Sequence, residues 1–576
     1  LTIATVEQSP ARRVARRLSR VGRAIDLNFV GLVVAGIFFA WSVTPSLLPR
    51  DWMFQGLISG INAALGYGLG CVLEWLFRRL IRPRLRISAP PQWVSFSLKV
   101  AILVTVLGGA AYMLVLAAQW QRHQSTLMGM VGTTTPAYFR TGALSFVVIT
   151  AIVAAFRMVR RIVRWNAKLL NRWIRIPRSV APTVGSFVVV VVAVTLFNGV
   201  LARGFFAAAN SLFSIRNDQT SPAAVQPQGP ERSGSPSSLI PWKTLGSEGR
   251  WFVSQGLDAG LIGLTTGKAA KEPIRVYSGL ESANGPAAQA DLAVAELERT
   301  HAFDRKVLVV ITTTGTGWVN STAASAIELM YGGDTAIVAT QYSYLPSVLS
   351  FLADRTKVAE AGAILFDKVY EHWAQRPEEL RPKLLVYGES LGSQGSEAAF
   401  DGIGELRSKV DGALWVGPPN SNRIWGQFVS RRDPGSPEVE PVYADGLVVR
   451  FGGDEEDLEQ PPRPWLMPRV AYLQHPSDPI VWWSPDLLFS RPDWLSEPRG
   501  ADVTNEVTWR PVVTFWQVAA DLTNATSVPA GHGHRYGTLV LDAWVALLPP
   551  PDWTQADTER VRAVLDALDE QEQEAK

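Results

Sequence analysis

Lys383-Leu384-Leu385-Val386-Tyr387-Gly388-Glu389-Ser390-Leu391-Gly392-Ser393 is the stretch whose reading decides the fold. Lys383 to Tyr387 is an apolar run that reads as a buried strand. It enters Gly-x-Ser-x-Gly directly, and Ser396 to Phe400 opens a helix. Strand, tight turn and helix together form the context of a nucleophile elbow, in which a serine sits in strained backbone. Glycines two residues to either side remove Cβ atoms that would otherwise clash. Ser390 Oγ then projects above the sheet edge, with the Leu391 amide beside it as a donor to an oxyanion. A chain with 47 glycines produces the bare five-residue pattern by chance often enough that context must carry the reading. The buried strand in front supplies part of that context, and residues further along supply the rest.

An activated serine needs a base and an acid that orients the base, in the chain order Ser, Asp, His for this topology. Tyr472-Leu473-Gln474 ends an apolar segment, and His475-Pro476-Ser477-Asp478-Pro479 follows, so Asp478 falls on a turn just past a strand. Pro529-Ala530-Gly531-His532-Gly533-His534-Arg535-Tyr536 is a Gly-rich loop before an apolar helix, and it holds two of the six histidines in the chain. Taken alone, Asp478 reads as a turn residue. His532 and His534 alone read as a metal pair, but no third ligand stands at metal spacing, so no metal and no cofactor are expected. The two histidines are two residues apart, so their side chains diverge and only one reaches Ser390. A second oxyanion amide fits Thr312-Thr313-Thr314-Gly315-Thr316-Gly317-Trp318, with Thr314 and Thr316 as the candidates. No Gly-Lys-Ser/Thr ends that loop, which excludes a phosphate loop. Trp318, Asn420 in the loop Gly417–Asn420, and the pair Trp482-Trp483 are candidates to wall an acyl pocket. Trp482 and Trp483 read equally well as core.

Beyond this half the composition changes. Residues 1–215 hold 24 Lys/Arg against 4 Asp/Glu, or +20; the total is +3, so the remainder carries 3 − 20 = −17. Mean hydropathy is slightly positive at +0.09. The chain thus divides into a basic, apolar N-terminal part and an acidic C-terminal part. Five apolar runs approach the length of about 20 residues that crosses a bilayer. They are Leu27–Leu48, Phe54–Phe77, Val94–Trp120, Tyr138–Met158 and Val180–Phe206. Arginines gather before the first run, after the second and after the fourth, which puts the N-terminus in the cytoplasm and everything past the fifth run outside. Basic residues that flank apolar runs fit membrane topology, not nucleic acid. Arg160–Arg175 reads either as an interfacial amphipathic helix or as a basic loop. Glu74, near a helix end, reads as a snorkelled acid. The single Cys71 permits no disulfide within the chain.

The domain reading is therefore residues 1–215 as a transmembrane helical domain, 216–240 as a flexible Pro/Ser/Gln-rich linker, and 241–576 as the C-terminal domain. Within the latter, Lys306–Thr313, Thr335–Thr340, Lys383–Tyr387, Asp411–Val416, Leu447–Phe451 and Arg469–Gln474 read as strands. Ala323–Met330 and one long helix in Ser347–Glu371 alternate with them, which implies a mainly parallel sheet with helices on both faces. Gly452–Pro468 reads as a surface loop.

The runs GESLGSQGSEAAF, LWVGPPNSN, YLQHPSDPIVWW, TFWQVAADL and GHGHRYG resemble the actinobacterial membrane α/β-hydrolases of alpha/beta-hydrolase family 9. The resemblance covers nearly the whole chain. It implies a helical membrane domain of about five spans followed by a cutinase-like α/β-hydrolase domain. It also implies Ser390 as nucleophile, Asp478 as acid and a histidine of Gly531–His534 as base. The histidine loop is similar to that of secreted mycoloyltransferases, where an aromatic follows the base by four residues; that likeness favours His532 as base, with Tyr536 in the aromatic place, and His534 as support for the loop. The resemblance implies no firm substrate; anchoring beside lipid headgroups makes a membrane-anchored serine esterase or lipase, acting on acyl esters of lipids or the cell envelope, the function read here, with self-association through the membrane helices as the partner expectation. An acyltransferase using the same residues and a non-catalytic lipid-handling scaffold are the rivals; the intact Ser, Asp and His set argues against the scaffold. One departure stands out: more than fifty residues separate Asp478 from the histidines, with no clear eighth strand between them.

Overall fold

The computed structural model describes residues 28–84, 91–132, 135–174, 202–353 and 356–575. The chain forms two compact units: residues 1–185 with 506–520, and residues 186–505 with 521–576.

In the first unit, α1 (Phe29–Ser42), α2 (Trp52–Leu76, its last turn widening through Ile81), α3 (Gln92–Leu127) and α4 (Thr135–Ile174) are the main helices. Among the described residues, three helical stretches are long and apolar enough to cross a membrane: Trp52–Ile81, Ser97–Leu127 and Tyr138–Ile162. The expected first span is not one of them. Its helix has 14 residues, roughly 21 Å at 1.5 Å per residue, short of the roughly 30 Å hydrocarbon core. The chain turns at Val43–Arg50, where Pro45 and Pro49 cannot continue a helix. The expected fifth span lies mostly on residues 180–201, outside the described residues, as do the arginines before Leu27. Arg160–Ile174 continues α4 without a break, so it is not a separate interfacial helix. Glu74 accepts from Asn28 and pairs with Arg78.

α2 and α4 run side by side in the same direction. Thr141 Oγ1 donates to the Trp52 carbonyl at 3.3 Å, and Ser145 Oγ to the Gly56 carbonyl at 3.0 Å. Arg78, Arg79 and Arg82 therefore stand at the same end as Arg157, Arg160, Arg161 and Arg164. Residues 506–520 belong to this unit too. Gln517 Nε2 donates to the Ser42 and Thr44 carbonyls at 3.1 and 2.9 Å, and Arg50 Nη2 donates to the Gln517 carbonyl at 2.7 Å. Carbonyls left open where α1 ends are thereby satisfied.

The second unit is built on a sheet of seven parallel strands in the order β1-β3-β2-β4-β5-β7-β6. The strands are β1 (Ile274–Ser278), β2 (Val307–Thr312), β3 (Thr335–Thr340), β4 (Lys383–Glu389), β5 (Gly412–Val416), β6 (Val449–Gly452) and β7 (Arg469–Leu473). Near-continuous burial along them reflects helices on both faces. The expected long helix over Ser347–Glu371 is helical over Ser347–Ala353 and Thr356–Ala374, with residues 354 and 355 outside the described residues. A short helix, Glu455–Leu458, interrupts the acidic insertion.

The segment read as a flexible linker is built into this unit. Its edge position explains why: β1 ends the sheet, and an uncovered edge exposes a row of unpaired backbone groups. Arg275 N donates to the Glu231 carbonyl at 3.1 Å, and Ser233 N donates to the Arg275 carbonyl at 3.0 Å. Arg232 is buried and reaches the carbonyls of Val253, Gly256 and Leu257. β1 escaped the sequence reading because Arg275 interrupts it. That guanidinium is buried in a two-pronged pair with Glu328, at 2.7 and 2.8 Å, and both side chains are 0% exposed. Replacing Arg275 by Leu strands the Glu328 charge. We expect a loss of about 3–5 kcal/mol for the single variant and recovery of most of it in Arg275→Leu with Glu328→Leu. Chemical denaturation of the two variants checks this.

Candidate functional site

Ser390 follows β4 and precedes the helix Leu391–Glu397, at φ 53° and ψ −127°. A non-glycine residue held there carries about 1–3 kcal/mol of strain. The turn closes tightly around it. A Cβ on Gly388 would lie 2.5 Å from the Gly392 carbonyl oxygen, and one on Gly392 would lie 2.3 Å from that of Thr312. The strained peptide is held from both ends. Ser390 N donates to the Val416 carbonyl of β5 at 2.8 Å. The Ser390 carbonyl accepts from Ser393 Oγ at 2.6 Å, and that oxygen accepts from Asn422 Nδ2 at 3.0 Å.

Below this chain lies Glu397, a buried carboxylate that the sequence reading missed. It accepts from Asn422 Nδ2, Tyr472 OH and the Ile424 and Trp425 amides, at 3.1, 2.9, 2.8 and 3.3 Å. Burial lifts its pKa to about 7, with those hydrogen bonds opposing. Asn420, expected against a substrate, is half-buried two residues before Asn422, the asparagine that bonds to the elbow helix.

Asp478 caps the short helix Pro479–Trp482 just past β7 and is wholly buried. Its Oδ1 accepts the Ile480 amide at 2.9 Å. Its Oδ2 accepts from His534 Nδ1 at 2.6 Å and Tyr536 OH at 2.8 Å. Burial acts to raise the Asp478 pKa, but the His534 charge and these hydrogen bonds outweigh it and hold the carboxyl below its usual range. For His534 burial acts downward, and Asp478, with a smaller contribution from Glu389, carries the imidazole above its usual value. The imidazole rests on Gly417, the residue after the Val416 carbonyl that binds Ser390. A Cβ there would lie 2.2 Å from His534 Cε1. The strand ends of β4, β5 and β7 are adjacent in the sheet, so they bring the serine, the imidazole and the carboxylate to one place.

The pairing corrects the histidine expectation. His532 does not meet Asp478; its Nδ1 donates to Asp502 Oδ2 at 3.1 Å. The alternation of side chains along the loop does send the two histidines to different partners. Tyr536, two residues past His534, meets it edge-on and reaches Asp478 as well. One other expectation changes. Thr314 N–H is committed to the Trp318 carbonyl at 3.2 Å, within a turn, whereas at Thr316 it is the carbonyl that is bonded, by Gln341 Nε2 at 2.8 Å. Leu391 opens its helix, where first-turn amides have no intrahelical acceptor. Trp482 is core: it is 1% exposed, donates from Nε1 to the His475 carbonyl at 3.0 Å and packs on Trp425 and Trp494. Trp483 is half-buried, edge-on to Phe351, and Trp318 is half-buried. Among the described residues no group of three or more His, Cys, Asp or Glu has the geometry of a metal site.

A parallel α/β sheet with a strained serine after one strand, and a buried carboxylate–imidazole pair at the ends of its neighbours, defines a hydrolase-type fold and site. A family model described as the alpha/beta-hydrolase family matches residues 274–561, and one described as the N-terminus of that family matches residues 43–256. The chain belongs to the alpha/beta-hydrolase family. Comparison with curated proteins and with solved structures gives no match.

Glu397 makes stability depend on pH with a defined sign. Between about 4.5 and about 7 the unfolded chain has released this proton while the folded chain keeps it, so stability falls as pH rises through that window. The fall is on the order of 3 kcal/mol. Glu397→Gln removes that slope, and below pH 5 it is itself less stable by about 1–3 kcal/mol through the lost acceptor for the Ile424 amide. Urea midpoints measured from about pH 4 to 8 give the comparison; equal slopes in the two proteins contradict it.

Proposed function

We propose that the protein is a serine hydrolase of acyl esters, with Ser390 as nucleophile, His534 as base and Asp478 as the carboxylate that orients it. The observation that carries this reading is the 2.6 Å bond from His534 Nδ1 to Asp478, made over Gly417 beside the backbone of Ser390. Nδ1 is spoken for, which leaves Nε2 to take the proton of Ser390 Oγ as that oxygen bonds to the ester carbon. The Leu391 amide supports the oxyanion. The imidazolium then protonates the departing alcohol, and water repeats the sequence to free the acid. Asp478 stays ionised throughout and stabilises the imidazolium.

Three apolar helices of spanning length support a membrane setting and therefore a lipid or envelope ester as substrate. Exposed Leu103, Val104 and Leu107 on α3 and Phe146, Val147 and Phe156 on α4 are the surface that lipid would cover. The arginines at the common end of α2 and α4 support a cytoplasmic position for that end.

Ser390→Ala should abolish fluorophosphonate labelling and lower ester turnover by on the order of 10⁶, as should His534→Ala, whereas His532→Ala should cost no more than about tenfold. The acid limb of kcat/KM should lie above the ordinary histidine value of about 6.5, because the base acts only when neutral. Asp478→Asn should move that limb down and lower kcat by roughly 10⁴. An active His534→Ala enzyme, or an inactive but folded His532→Ala enzyme, reverses the histidine roles.

Orientation has its own test. In a Cys71→Ser background, one cysteine replaces exposed Ser237 and another replaces Ser19. An impermeant maleimide applied to intact cells is expected to label the first alone; labelling of the second alone places the hydrolase unit in the cytoplasm.

A further inference from the structure

The loop that carries His534 is gripped through the residue before it. Both polar groups of the Gly533 peptide are taken by side chains from the acid loop. Gly533 N donates to Ser477 Oγ at 2.8 Å, and the Gly533 carbonyl accepts from His475 Nδ1 at 2.8 Å. Ser477 and His475 are 0% and 1% exposed, so these bonds form away from water. Gly533 has φ 52°, a backbone state that a freely moving loop has no need to keep. Each side chain is itself held. Ser477 Oγ donates to Asp502 Oδ2, which also accepts from His532 Nδ1 at 3.1 Å. His475 stacks on Tyr536 with ring centroids 4.1 Å apart, and its amide donates to Tyr536 OH at 3.2 Å.

We infer that Ser477 and His475, braced by Asp502 and His532, form a clamp on the Gly533 peptide that positions His534 for catalysis. The residues form no second catalytic set. The Ser477 hydroxyl gives its proton to the carboxylate and receives the Gly533 amide, so no imidazole activates it. The same four-residue stretch, His475–Asp478, supplies both the acid that bonds His534 Nδ1 and the two side chains that fix the peptide N-terminal to it. Backbone and imidazole are thus referred to one short loop past β7. Asp502 sets the direction of the Ser477 hydroxyl, so that its oxygen is presented to the Gly533 N–H. This inference rests on the hydrolase reading given above.

Ser477→Ala removes one jaw, and Asp502→Asn weakens its brace while keeping its volume. Hydrogen exchange of the full-length protein, followed by mass spectrometry, reads the clamp without any reaction. The segment 529–537 should exchange at least about tenfold faster in Ser477→Ala, with the strand segments unchanged. Fluorophosphonate titration should still reach one label per chain, while the labelling rate and kcat fall roughly 10²-fold, the scale of a displacement of about 1 Å. KM and the acid limb of kcat/KM should stay at their wild-type values, since the Asp478–His534 pair is untouched; Asp502→Asn should show the same pattern with a smaller loss. Full labelling at the wild-type rate in Ser477→Ala overturns the clamp. So does a lowered stoichiometry whose labelled fraction reacts at the wild-type rate, which is the mark of partial misfolding. A wild-type chain that takes no label overturns the hydrolase reading and the clamp's catalytic role with it; unchanged exchange in 529–537 overturns the clamp alone.

Discussion

A wholly buried carboxylate is the constraint on which this unit depends. An ionised Asp478 without partners would cost several kcal/mol and would protonate instead. It stays ionised because three donors converge on it: the Ile480 amide, His534 Nδ1 and Tyr536 OH. Two of the three come from a loop 56 residues further along the chain. The site therefore exists only when the segment past β7 and the loop before the helix Leu539–Leu547 are docked together. Sheet order makes that docking productive. β7 inserts between β5 and β6, not at the edge, which puts Asp478 beside the β5 end on which His534 rests. With β7 at the edge in place of β6, the carboxylate would stand one strand, about 4.8 Å, further from the serine.

The serine is under a complementary constraint. Its positive φ is unfavourable, so the surrounding bonds must over-determine it. They run from Ser390 through Ser393 and Asn422 to Glu397, and from Ser390 N to Val416. Both routes pass through the end of β5 or the segment after it, at Val416 and Asn422, the same stretch that supports the imidazole at Gly417. Strain at Ser390 and placement of the His534 imidazole thus share one anchor. That anchor explains why a buried glutamate is kept under the elbow, where an apolar residue would pack at lower cost: only an acceptor with two oxygens can gather two amides, a side-chain amide and a phenol at one point.

What the sequence disclosed and what it withheld divide by range. The elbow, the turn at Asp478 and the histidine loop are each set by a few consecutive residues, so Gly388–Gly392, His475–Pro479 and Gly531–Tyr536 are legible in order. Choosing between His532 and His534 is not, because it depends on Asp502, which no local pattern marks. β1 was hidden by Arg275, whose charge is tolerated only because Glu328 arrives from a distant helix. Residues 216–240 have the composition of a linker, yet the stretch around Glu231–Ser233 is ordered by the edge strand β1, which no apolar run marks. Leu27–Leu48 looks long enough to span because hydropathy counts residues through Pro45 and Pro49, where the helix has already stopped.

The long interval between Asp478 and the histidines has a related explanation. Residues 506–520 leave the hydrolase unit and complete the other one. Gln517 there satisfies carbonyls at the end of α1, and its own carbonyl is held by Arg50, 467 residues earlier. The chain then returns at Asp521, and within a few residues the Ala525 carbonyl accepts from His534 N at 2.8 Å. A cut near residue 215, where the composition changes, would separate α1 from Gln517, leaving the Ser42 carbonyl to Gln55 Nε2 at 2.9 Å and taking the Gln517 donor from the Thr44 carbonyl. It would also leave 506–520 without Arg50, which holds the Gln517 carbonyl, upstream of the segment bearing His534. Neither half, cut where the composition changes, holds the whole of the first compact unit, because that unit takes residues 506–520 from beyond Asp478.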